Sequence, residues 1–125
     1  MTLLRSVLAA QGAMYVVTGV WPLLHMASFE AVTGPKTDDW LVHTVGLLLA
    51  VIGSVLLAAL TRRTVDGLVI ALAIGAALSL AAVEVVYVFN GTIARIYLLD
   101  AAVEALFAAL LLIASRRPAG QPRPA

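Results

Sequence analysis

Residues 96–113 read IYLLDAAVEALFAALLLI. Apart from Asp100 and Glu104 the run is hydrophobic, and it is long enough for a helix to cross the hydrocarbon of a bilayer. The two acids stand four residues apart, one helical turn, and so share a face with Tyr97 one turn earlier. The charge placement therefore raises a question that an ordinary apolar span would not.

Three further stretches have the same character. The apolar segments run from Leu3 to Leu24, Trp40 to Leu60 and Leu68 to Phe89, with the fourth from Ile96 to Ala114. Each is about 20 residues, the length that crosses ~30 Å at ~1.5 Å per residue. The punctuation between them is consistent. TGPKTDD (33–39) breaks the chain at Gly34-Pro35 and offers Thr37 or Asp38 as a helix cap. TRRTVDG (61–67) separates the second span from the third, and the Asn-Gly of FNGT (89–92) ends the third. Residues 1–115 read as one membrane domain and 116–125, RRPAGQPRPA, as a flexible cytoplasmic tail.

Composition agrees. Of 125 residues 62% are hydrophobic and 12% charged, against about 25% charged in soluble domains. Mean hydropathy is +1.04. The net charge of +1 gives no reason to expect nucleic acid, and the absence of cysteine excludes disulfides and thiolate chemistry. The N-terminal run opens with Arg5 and continues to Leu24, which favours a retained span over a cleaved signal.

Arg5, Arg62, Arg63, Arg116, Arg117 and Arg123 fall on one side of the predicted spans, Lys36 and Arg95 on the other. The positive-inside rule then puts both termini in the cytoplasm. The expected fold is all-α, a four-transmembrane-helix antiparallel bundle in the inner membrane of a bacterium. Small residues at Gly46, Ala50 and Gly53, at Ala73, Ala77 and Ala81, and at Ala101, Ala105 and Ala108 or Ala109 would let the helices approach closely. WLVHTVGLLLAV (40–51) and YLLDAAVEALFA (97–108) form a short internal echo.

With this topology the polar residues gather at one end. The candidate ligand- or proton-binding residues are Gln11, Tyr15, His25, His43, Glu84, Tyr87, Tyr97, Asp100 and Glu104. Gln11, Tyr15, Thr18, Pro22 and His25 follow a 4-3-4-3 stripe, and Glu84 and Tyr87 are three apart. Turned inward, these faces would surround an outward-opening acidic cavity, with Glu84 and Asp100 within about one water-bridged contact, on the order of 3–6 Å. A charge near the bilayer centre costs at least ~2.5–3.5 kcal/mol on insertion scales, so such residues face a partner or water. The two histidines suit hydrogen bonding better than haem or metal, and neither metal nor cofactor is expected. Trp21, Trp40, Tyr87 and Tyr97 fit an aromatic belt. The 29–39 connection is the longest, and two readings stand: its Lys36 and acids cover the cavity, or Gly34-Pro35 is only a turn.

The WPLLH (21–25) ending of the first span, the intramembrane acids and the segment FEAVTGPKTDDWLVHTVG (29–46) resemble the small bacterial four-helix membrane proteins of DoxX-like build. That resemblance implies the four-span topology and no particular activity. Small multidrug-resistance exporters are similar in length but carry their carboxylate in the first span, where this chain has Gln11 and Tyr15. The EXPERA-type sterol isomerases and sterol-binding proteins are similar in placing acids and aromatics in a pocket, which implies an amine or carbocation-like lipid. The functional expectation is binding of a small amphipathic or cationic ligand, or exchange of protons. A non-enzymatic accessory subunit of a membrane complex is the alternative and a lipid isomerase the third. The bilayer is the expected partner, with a homo-oligomer or larger complex left open.

Overall fold

A computed structural model describes residues 2–116. It contains five helices: α1 Leu3–Leu24, α2 Met26–Thr33, α3 Asp39–Ala59, α4 Gly67–Phe89 and α5 Ile96–Ser115. Among the described residues there is no strand. Four of the helices, α1, α3, α4 and α5, are long and apolar enough to cross a membrane. Their ends lie within a residue of those expected from the punctuation. The tail from residue 117 onward, with Arg117 and Arg123, lies outside the described residues.

Local chemistry sets the helix ends. The Thr2 hydroxyl accepts from the Arg5 amide at the start of α1, and the Asp66 carboxylate accepts from the Leu68 amide at the start of α4. Asp38 is the N-cap of α3, but its side chain makes no capping bond. After α4, Asn90 accepts from the amide and hydroxyl of Thr92, and Gly91 takes a positive φ of 84°.

The helix α2 corrects the expectation of an irregular 29–39 connection. Eight residues are too few to announce themselves by periodicity, and so short a helix depends on tertiary support. That support is visible: His25 Nδ1 accepts from the Ser28 amide, Trp21 Nε1 donates to Ser28 Oγ, and Phe29 meets Trp21 edge to face with centroids 5.5 Å apart.

The long helices neighbour one another in the order α3, α1, α5, α4, with α1 most extensively packed on α3 and α4 on α5. The α1–α3 seam is built on glycine. Gly12 faces Gly53, and a Cβ added at Gly53 would stand 2.6 Å from the Gly12 carbonyl oxygen. A turn pair further on, Gly19 and Gly46 meet in the same way. Absent side chains are what allow the backbones this close, the source of helix adhesion where lipid removes any hydrophobic drive.

The core occupies one half of the molecule. Leu8, Leu56, Ala73, Ala77, Phe107 and Leu111 pack there from all four long helices. At the same end Arg5 donates to the carbonyls of Leu60, Arg62 and Arg63 at 3.0, 2.6 and 2.7 Å. These carbonyls follow α3 and have no intrahelical donor, so the guanidinium closes the helix and ties it to α1. The other half, towards α2, is hollow.

Candidate functional site

The hollow half encloses a cavity of about 570 Å³ reached by side chains of all five helices. Its walls are chiefly apolar, and three carboxylic acids stand in them: Glu84 from α4, and Asp100 and Glu104 from α5. The i, i+4 spacing on α5 puts both of its acids on the inward face. Glu84 and Asp100 come from different helices and line the same cavity.

Glu104 is the deepest of the three, 1% exposed, and lies about 10 Å along α5 from Tyr97 by the helical rise. The Tyr15 hydroxyl donates to its Oε2 at 2.6 Å, a short O–H···O bond of the kind a carboxylate accepts. Behind Tyr15, Gln11 Nε2 donates both to the tyrosine oxygen at 3.1 Å and to the Ala73 carbonyl at 2.9 Å. Gln11, Tyr15 and Glu104 thus form one buried chain crossing α1 and α5, anchored on α4. Gln11 is a support behind the cavity wall rather than part of it.

The polar network is incomplete. Oε1 of Glu84 and Oε1 of Glu104 are buried without a hydrogen-bond partner, and so is Oε1 of Gln11. Glu84 is only 6% exposed. Buried polar atoms are nearly always paired, because leaving one bare costs roughly 1–3 kcal/mol. Two of these oxygens belong to residues that line one cavity.

At the far end of the cavity Lys36 is part of the lining. Its ammonium donates to the carbonyls of Thr33 and Gly34 and to the Thr33 hydroxyl. It stands 5.7 Å from the ring centre of Phe29 and 5.3 Å from that of Tyr97, a cation held between two aromatic faces. The loop acids Asp38 and Asp39 are exposed and outside the cavity.

Of the sequence-predicted residues the structure brings together Tyr15, Glu84, Tyr97, Asp100 and Glu104, with Gln11 behind them. It does not bring in His25, His43 or Tyr87. The inward stripe of α1 holds through Pro22 and then fails, because His25 leaves the helix to cap α2. On α3 the glycine seam fixes the rotation, which gives Val42, Val45 and Leu49 to the cavity and leaves His43 off it. Tyr87 is 45% exposed. The aromatic belt divides: Trp40 and Tyr87 face outward, while Trp21 and Tyr97 line the cavity. Phe29 and Thr33 were not anticipated; they reach the site because α2 is folded.

The fold and the site together describe an all-helical protein with four membrane-length helices, the build of a multi-pass membrane protein, and an acid-bearing cavity in one half. Comparison with known protein families, with curated proteins and with solved structures finds no match.

Proposed function

We propose that the chain is a polytopic protein of a bacterial inner membrane that binds a small cationic amphiphile in an acidic pocket facing outward. The observation that carries this reading is that three carboxylic acids, Glu84, Asp100 and Glu104, stand together in the wall of a chiefly apolar cavity. An ammonium group brings several N–H donors and a positive charge, and an apolar tail suits the remaining wall. The volume lies within the ~300–1,000 Å³ of small-molecule sites. The accessory-subunit alternative would need acids on the lipid-facing surface, whereas these acids turn inward.

The orientation belongs to the same proposal. The opposed pairing of Gly12 with Gly53 and Gly19 with Gly46 supports an antiparallel bundle. The six-to-two division of basic residues supports cytoplasmic termini. With no native cysteine, Thr37→Cys should react with an impermeant maleimide from outside intact cells and Thr64→Cys should not; the reverse pattern would overturn the orientation. A DoxX-like relationship is proposed on topology alone.

The binding test compares decylamine with decanol, equal in chain and different in charge, on protein in lipid nanodiscs. Decylamine at about a hundred times its Kd should stabilise the fold by ~2.7 kcal/mol, and decanol should have little effect. Equal shifts from both would mean that the tail alone binds and that the acids play no part.

A further inference from the structure

The row α3, α1, α5, α4 bends round so that its two end members face each other, yet α3 and α4 scarcely touch. They are joined by residues 60–66 and held at that end by the core and by Arg5. Towards α2 they part. The cavity wall on either side of the gap is Leu41, Val45 and Leu49 from α3 and Leu80 and Val83 from α4. Val45 is 49% exposed and Val83 53%, so the wall on both sides of the gap is open rather than sealed by packing. In a membrane the outside at this level is lipid. The gap is a window from the hydrocarbon to the carboxyls of Glu84, Asp100 and Glu104.

The other approach, past α2, is guarded by the Lys36 ammonium between Phe29 and Tyr97. A cation arriving that way meets a like charge in a narrow aromatic mouth. One arriving through the window meets only aliphatic side chains and then the acids. The window also matches an alkyl tail: Leu41 to Leu49 spans about 12 Å of α3 by the helical rise. At its inner end Glu84, Asp100 and Glu104 bring three carboxylic acids to the cavity wall, a setting suited to the three donors of a primary ammonium.

We infer that the ligand is an aliphatic amine dissolved in the bilayer, which enters between α3 and α4 and leaves its tail in that window. This rests on the acidic-pocket reading above and adds the route and the source. The test uses single cysteines in a chain that has none of its own. Val45→Cys and Val83→Cys would report from the window, and Leu112→Cys from an exposed position on α5 that does not line the cavity. In nanodiscs, saturating decylamine should slow labelling of both window cysteines by a lipid-soluble maleimide at least tenfold and leave Leu112→Cys unchanged. Should one window variant fail to fold, the other gives the same readout. Unchanged window labelling, while decylamine still raises Tm of the same protein, would overturn the lateral route and leave the pocket standing. Absence of any decylamine effect on Tm would overturn both.

Discussion

The two halves of this molecule are made from the same four helices and the same apolar residues, yet one is packed and the other hollow. Near Arg5, Leu8, Leu56, Ala73, Ala77 and Leu111 are fully buried together with Gln11, whose amide nitrogen is bonded twice and whose Oε1 has no partner. Towards α2 the helices carry carboxyls, leave oxygens unpaired and enclose about 570 Å³. Close packing and open space are therefore separated along the bundle axis. The packed half and the glycine seam can hold the fold while the hollow half keeps polar groups that packing alone would not favour.

The comparison breaks most sharply at the seam. Gly53→Leu would drive a side chain into the Gly12 carbonyl and the Tyr15 Cβ, and overpacking of this kind costs about 3 kcal/mol. Val83→Leu, which adds one methylene beside the cavity, should change stability by under about 0.5 kcal/mol. Thermal unfolding in detergent measures both. Equal losses would mean that the seam is no more tightly packed than the window.

A smaller effect should follow from cavities. Leu56→Ala removes a fully buried side chain from the packed half and should cost about 2 kcal/mol. Leu80→Ala borders space that is already open and should cost well under half as much. Smaller again is Arg5→Met, which keeps the apolar stem and removes three bonds to carbonyls, for a loss of about 1 kcal/mol. Amide exchange should then rise at residues 60–63 before it rises in the core; uniform acceleration would mean that Arg5 is not a local clasp.

Much of this division was legible in the sequence, and the reason is locality. Helix ends followed from Gly34-Pro35, the stretch TRRTVDG and Asn90-Gly91, each of which acts within a few residues. That Glu84 and Asp100 line one cavity is in keeping with the short turn between their two spans, which fixes depth. The helix α2 was not legible, because its stability comes from Trp21 and from packing against α1 and α5 rather than from its own eight residues. Nor was the exclusion of His43. Which face of α3 looks inward depends on Gly12 and Gly19 of a different helix, a pairing that no local pattern encodes. The histidine at residue 25 read as the end of a stripe and became a cap, because the chain turns there.

The central claim is that Glu84 and Glu104 are held in the hollow half for a ligand and not to fasten helices. Glu84→Gln and Glu104→Gln test it most directly, since an amide keeps the shape and most of the hydrogen bonding and removes the acid. For each variant, Tm without ligand and the Kd for decylamine are measured in the same nanodiscs. The account predicts Tm within a few degrees of the parent, as expected when a neutral amide replaces a buried acid, and a Kd raised at least tenfold. A large fall in Tm with decylamine binding unchanged would contradict it and make the acids structural.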